Sequence, residues 1–296
     1  MVTPRSFLFI PGDSEKKLGK ADDCGADAII LDLEDSVAQS NKAAGRQLVA
    51  DFLSERPKDQ RRMQIWVRVN PVDSDLVLDD LCAVIGGAPD GIMQPKPDGP
   101  AHVRLLSNYC DALEAQAGIE GPGVRILPVA TETACAPFQL GDYAGAGLGR
   151  LSGLTWGAED LSAALGASSN RGSDGVWATT YQMVRSLTLM AAHAADVAAI
   201  ETLHADFKDD AGLRASSVQA RQEGFSGRLA IHPAQVSIIN DSFMPTAAEV
   251  DFARQVISRF ADNPDVGTVA IDGKMLDRPH LTAAEKTVAQ HDAFAA

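Results

Sequence analysis

The sequence is poor in cysteine and has no excess of positive charge. Its 296 residues include four cysteines, Cys24, Cys82, Cys110 and Cys135. They form no CxxC pair and follow no finger-type spacing, which disfavours a disulfide framework or a zinc module; reduced thiols in a cytoplasmic protein are expected. The six histidines show no zinc spacing either. Lysine and arginine total 26 against 40 aspartates and glutamates, a net charge of −14. Nucleic-acid binding needs a basic footprint that is absent here, although a few cations placed locally can still hold a small anion. No uninterrupted apolar run approaches the ~20 residues of a membrane-spanning helix. FLFI before Pro11-Gly12 is too short for a signal-peptide core, so no membrane association is expected. No GxSxG elbow, P-loop or dinucleotide fingerprint stands between a strand and a helix, which disfavours serine hydrolases, NTPases and Rossmann enzymes.

What the chain does have is a globular composition, 45% hydrophobic and 22% charged, and a repeated placement of polar residues. Apolar, strand-like runs are expected at roughly 7–11, 28–33, 64–69, 91–95, 125–131, 153–157, 197–203 and 227–232. Almost every one ends in catalytic-type side chains, such as Asp32-Leu33-Glu34-Asp35 and Arg68-Val69-Asn70. Helical segments lie between them, clearest at 41–54, 101–118 and 176–195. Strict alternation predicts a parallel sheet, and buried strands that present their functional groups at one end describe a barrel with its site on the C-terminal face. The expected fold is therefore α/β, a (β/α)8 TIM barrel over residues 1–245. A C-terminal helical extension follows over 246–296, with a helix at 246–260, a turn centred on Asp272-Gly273 and helix again from Leu281.

Glu132 and Asp160 stand at the mouths of two different strands. Two carboxylates with no histidine or cysteine beside them suit a hard cation such as Mg2+; capping of the helices that follow is the alternative. Arg68 ends an otherwise apolar strand, where a guanidinium must meet an anion. It either makes a salt bridge with Asp32, Glu34 or Asp35, or stabilises negative charge on a carboxylate or enolate oxygen. Strand alternation lets one or two of Asp32, Glu34 and Asp35 face the site and leaves at least one to cap a helix. Lys16, Lys17 and Lys20 could meet phosphates or form a solvated face. Lys96, after a proline turn, reads as solvated, His193 as packed within an apolar helix, and His232 before Pro233 as a loop-orienting or ligand-contacting residue.

Several motifs, in one order, carry a family resemblance. RSFLFIPG (5–12), DAIILDLEDSV (27–37), VRVN (67–70), GIM-x-PK (91–96), Glu132, GAEDL (157–161), AIHPAQV (230–236) and GKMLDRP (273–279) together resemble the citrate lyase β-subunit-like branch of the HpcH/HpaI aldolase/citrate lyase superfamily. The resemblance implies a Mg2+-dependent barrel acting on acyl-CoA or acyl-carrier thioesters, assembled as a homotrimer or hexamer. It implies Glu132 and Asp160 as metal ligands, Arg68 facing the reacting oxygen and Glu34-Asp35 supporting both. Lys16, Lys17, Lys20, Gly157, Ala158 and His232 fall to substrate or CoA contact. Asp277 matches an aspartate that reaches a neighbouring subunit's site and handles a proton. The expected reaction is cleavage or formation of a 3-hydroxyacyl-CoA of the malyl, citramalyl or citryl type, giving acetyl-CoA or another acyl-CoA and a 2-oxo acid. A carrier-protein thioester, a CoA-independent pyruvate-type aldolase, thioester hydrolysis and a non-catalytic CoA-binding scaffold remain open at this point.

Overall fold

The structure, a computed structural model, describes residues 3–120, 123–173 and 175–295. Eight parallel strands form one sheet: β1 (Ser6–Pro11), β2 (Ala28–Asp32), β3 (Gln64–Arg68), β4 (Gly91–Gln94), β5 (Arg125–Pro128), β6 (Gly153–Thr155), β7 (Ala198–Glu201) and β8 (Gly227–Ala230). Their order, β5-β4-β3-β2-β1-β8-β7-β6, leaves only β5 and β6 as edges. Those two are bridged at Ile126–Leu151 and Val129–Thr155, and Ala130 N–H donates to the Thr155 carbonyl at 2.8 Å. The circuit is thereby nearly closed, as the alternating sequence implied. Each strand falls within or beside its predicted run, but several stop early. The polar residues that follow are loop residues, and they are the ones that form the site.

The helices between the strands are α1 (Glu15–Leu18), α2 (Lys42–Ser54), α3 (Val77–Val84), α4 (Pro100–Ala117), α5 (Ala158–Ala164), α6 (Thr179–Ala194) and α7 (Asp210–Glu223). α4 opens on a proline, whose missing N–H costs nothing there, and stops at the left-handed Gly118. α6 buries Tyr181, Val184, Thr188, Ala191 and Ala192, a three-and-four spacing that leaves His193 off the stripe. Contrary to the sequence reading, His193 is exposed, its Nε2 lying 3.1 Å from the Gly224 carbonyl at the end of α7.

Inside the barrel, Phe7, Ala28, Ile30, Trp66, Met93, Leu127, Val129, Ile200 and Leu229 form one cluster. Trp66 is its largest member, edge-on to Phe7 with ring centroids 5.8 Å apart. The opposite residue in register is Gly91, because a Cβ there would stand 2.2 Å from the Trp66 ring.

The chain divides into two compact units, one of Thr3–Asn240 and one from Asp241 onward, the boundary falling within α8 (Ala234–Ser242). The second unit contains α9 (Ala247–Ala261), β9 (Thr268–Ile271), β10 (Lys274–Asp277) and α10 (Arg278–Ala295). Thr246 and Glu249 make a reciprocal capping box at the start of α9. β9 and β10 pair antiparallel around Asp272-Gly273, both with positive φ, the backbone that a two-residue hairpin of this twist requires. Ala253, Val256, Phe260, Ile271, Leu276 and Ala284 form this unit's own core.

Gly91→Ala is expected to destabilise the protein by at least ~1–3 kcal/mol through overpacking against Trp66. A urea midpoint equal to that of the unmutated protein would contradict the assignment.

Candidate active site

Asp32 and Arg68 are the last residues of neighbouring strands and stand opposite one another in the β2–β3 register. Arg68 Nε and Nη2 donate to the two Asp32 carboxylate oxygens at 2.8 and 2.7 Å, and Nη1 lies 3.1 Å from a Glu34 oxygen. Two parallel N–H bonds fix the plane of the guanidinium as well as its position. Phe9 lies beneath it, 4.8 Å from ring centroid to Cζ. Burial would raise the Asp32 pKa, but the bonds and charge of Arg68 outweigh it and hold this carboxyl below its ordinary value.

β2 ends at Asp32, so strand alternation does not govern Glu34 and Asp35. Asp32 accepts the Glu34 N–H at 2.9 Å and the Ser36 N–H at 3.3 Å, a tight turn of the kind aspartate favours. All three acids of this segment thereby reach the site cations, where the sequence predicted that at least one would cap a helix. Lys42 holds the turn from behind. Its buried Nζ donates to the Leu33 and Glu34 carbonyls at 2.6 and 2.7 Å and to Asn70 Oδ1 at 2.9 Å. Asn70 in turn donates to the fully buried Asp80.

Lys96 is the second correction. It is not a solvated lysine: its ammonium is ion-paired with Glu34, with Asp35 at 2.9 Å and with Asp160 at 3.3 Å. Burial lowers its pKa, but the bonds to Glu34 and Asp35 dominate and keep it charged well above the usual lysine value. Its backbone is left-handed, φ 50°, and its own N–H donates to Glu132 Oε2 at 2.7 Å. Glu132 is almost wholly buried. Burial first, and the nearby Asp160 charge second, push its pKa up to about 8.

Glu132 and Asp160 are brought together in the wall of a small cavity of about 60 Å³, with Gly157, Ala158, Trp156 and Trp177. Beside it runs a larger groove of about 420 Å³ that Lys17, Lys20, Cys24, Ser36 and His232 help to line. Phe9, Arg68 and Leu203 belong to both walls. Lys16 is exposed and does not line the groove. His232 stacks on Phe207, centroids 4.9 Å apart. Asp277 ends β10 in the second unit, its Oδ1 2.5 Å from His280 Nδ1.

Among the described residues, no group of three or more His, Cys, Asp and Glu side chains is gathered as a ready-made metal cage. The pair Glu132 and Asp160 nevertheless fits a hard divalent ion. Both are oxygen donors, and among the described residues Glu132 makes no ion pair and accepts an amide N–H, while burial and then a second negative charge raise its pKa. Positive charge at this point would relieve both costs.

Residues 5–233 match the profile of the HpcH/HpaI aldolase/citrate lyase family. The chain belongs to that family. It is 35% identical over 294 residues to a (3S)-malyl-CoA thioesterase of Cereibacter sphaeroides, covering 99% of this chain and 96% of that one. It is 33% identical over 279 residues to the citrate lyase subunit beta-like protein of Mycobacterium tuberculosis, covering 94% and 92%. A crystal structure of CitE from M. tuberculosis in complex with magnesium, acetoacetate and coenzyme A superposes with a TM-score of 0.77 at 31% identity, covering 97% of this chain and 98% of that one. As a member of this family the chain is an enzyme, and none of its described helices is long and apolar enough to cross a membrane.

Within this family member, Lys42, Phe9, Trp177 and Leu203 were not singled out by sequence reasoning. For Lys42 a signal existed: a lysine inside the first turn of a helix, one residue after Asn41, opposes the macrodipole and so needs a partner. Trp177 sits in a loop, edge-on to Trp156 with centroids 5.2 Å apart and covered by the Arg171 guanidinium at 3.5 Å; no local pattern foretells that.

The high Glu132 pKa carries a sign. Below the ordinary value of 4.5 the folded and unfolded chains are both protonated here and the stabilisation is complete; it is lost as pH rises from there through about 8. In chelator-treated protein, Glu132→Gln is expected to flatten the fall in urea midpoint between pH 5 and 8. Parallel falls in variant and parent would place the titration elsewhere.

Proposed function

We propose that this enzyme is a Mg2+-dependent carbon–carbon lyase. It cleaves a 3-hydroxyacyl-CoA of the malyl-CoA, citramalyl-CoA or citryl-CoA type to an acyl-CoA and a 2-oxo acid, or forms it in reverse. The observation that carries this reading is the position of Arg68 in the walls of both cavities. A thioester in the larger groove and an acid in the smaller cavity would meet at its guanidinium. The relative crystallised with magnesium, acetoacetate and coenzyme A supports the same pairing of ligands.

Glu132 and Asp160 are the residues that would hold the ion, which supplies Lewis-acid polarisation of the hydroxyl and carboxylate oxygens of the acid half. The chain's other groups do the rest. Lys17 and Lys20 attract the phosphates of CoA, with His232 on the same groove wall. Gly157 lies tight against Glu132, a Cβ there falling 2.8 Å from its Cγ, so the carboxylate and the start of α5 are packed as one piece. Arg68 receives the enolate oxygen of the departing acyl thioester. Of its five N–H donors, two are bound by Asp32 and one is directed at Glu34, which leaves two for substrate. The Asp32 fork keeps the guanidinium from reorienting as charge develops, the condition under which such a donor is most effective. Asp277 handles the proton at the methyl carbon, acting in a neighbouring subunit of a homotrimer or hexamer. Its hydrogen bond with His280 holds the carboxyl below the usual range, so at neutral pH it rests as a base, as condensation requires. The four free cysteines fit a reducing, cytoplasmic setting.

Similarity to (3S)-malyl-CoA thioesterases favours a second reading, hydrolysis of the thioester. One assay separates the two. Purified protein is given malyl-CoA, citramalyl-CoA or citryl-CoA with Mg2+ or with EDTA. Metal-dependent release of acetyl-CoA and a 2-oxo acid is the expected result. Free CoA and the intact hydroxy acid as sole products would establish hydrolysis, and no turnover of any thioester would overturn the proposal.

A further inference from the structure

We infer that the Lys96 ammonium is the chain's own counter-cation for the acid cluster, holding the carboxylates in place before a divalent ion binds and yielding Asp160 when one does. This rests on the reading above that Glu132 and Asp160 hold the ion. Five carboxylates, Asp32, Glu34, Asp35, Glu132 and Asp160, share two cations, Arg68 and Lys96. Arg68 is committed to Asp32 and Glu34 and touches neither Glu132 nor Asp160 in any ion pair of the described residues. Among the described residues, Lys96 alone links the β2–α2 turn, through Glu34 and Asp35, to Asp160 on α5, while its backbone N–H holds Glu132. One residue therefore gathers oxygen donors from three separate segments, as a bound metal ion would.

Two further observations bear on its mobility. The Lys96 backbone sits in the left-handed region, φ 50°, which is unfavourable for a residue with a Cβ and persists where surroundings over-determine it. The main chain, not the side chain, is thus the fixed part. Glu34 is buried to 3% exposure, but Lys96 retains 28% on a flexible four-carbon stem, and its contact with Asp160 is longer than that with Asp35. Asp160 is the partner it can give up at least cost, while staying paired with Glu34 and Asp35.

The role predicts effects of opposite sign. A lysine that merely supports the ligands would, when removed, lower both stability and ion affinity. A resident counter-cation, when removed, lowers the stability of the ion-free protein but raises its affinity for the ion. Mn2+ binding is measured by the loss of the free-ion EPR signal, alongside the melting temperature in chelator, for the parent, Lys96→Met and Lys96→Gln. The expected result is an affinity at least about tenfold tighter in both variants, since a positive charge a few ångströms from the ion has gone, with a lower ion-free melting temperature. Unchanged or weaker Mn2+ affinity in the variant that folds would overturn the inference while leaving the metal site standing. Failure of the parent to bind Mn2+ would instead remove the metal site and the inference together.

Discussion

The fork between Arg68 and Asp32 is the interaction on which the rest of the site depends. A guanidinium with only 14% side-chain exposure sits at the end of a barrel strand only because a carboxylate faces it on the neighbouring strand, directly opposite in register. Removing Asp32 would leave the buried guanidinium with Glu34 as its one remaining ion-pair partner among the described residues, and stripping a partner from a buried pair costs several kcal/mol in comparable cases. The pair also has consequences along the chain. Asp32 turns the backbone through the Glu34 and Ser36 amides, which delivers Glu34 to Arg68 and Lys96. Lys42 and Asn70 then clamp that turn through main-chain carbonyls. The site is built outward from one ion pair, with polar groups satisfied in succession.

That construction also explains why the barrel mouth tolerates so much negative charge. The carboxylates divide a few donors among them: a bidentate guanidinium for Asp32, that guanidinium and the Lys96 ammonium for Glu34, the same ammonium for Asp35 and Asp160, and an amide N–H for Glu132. Glu132 is the least compensated and carries the largest upward pKa displacement among them, to about 8. A site with one under-satisfied buried carboxylate beside a second acid is ready to take positive charge, and it gives up some stability in the ion-free state for that readiness.

The barrel was legible in the sequence because parallel strands covered on both faces must be apolar throughout, and FLFI, AIIL and IWV are. The hairpin at Asp272-Gly273 was legible because few residue pairs accept positive φ twice. The gathering of Arg68, Glu34, Glu132 and Asp160 was legible in outline, since each follows a different predicted strand. Lys96 was misread because its partners lie about sixty residues away in both directions. Asp32, Glu34 and Asp35 were given alternating directions by a rule that stops where the strand stops. Trp177 and Leu203 could not be found, because what a loop residue covers is decided by the loop's path and not by its composition.

The central claim is that Arg68 meets the enolate oxygen of an acyl thioester. The most direct test is solvent exchange of the acetyl-CoA methyl protons, followed by NMR in D2O with Mg2+, in the parent and in Arg68→Ala. The account predicts exchange in the parent and a loss of roughly 10²–10³-fold in the variant. Exchange at the parental rate in Arg68→Ala would contradict it.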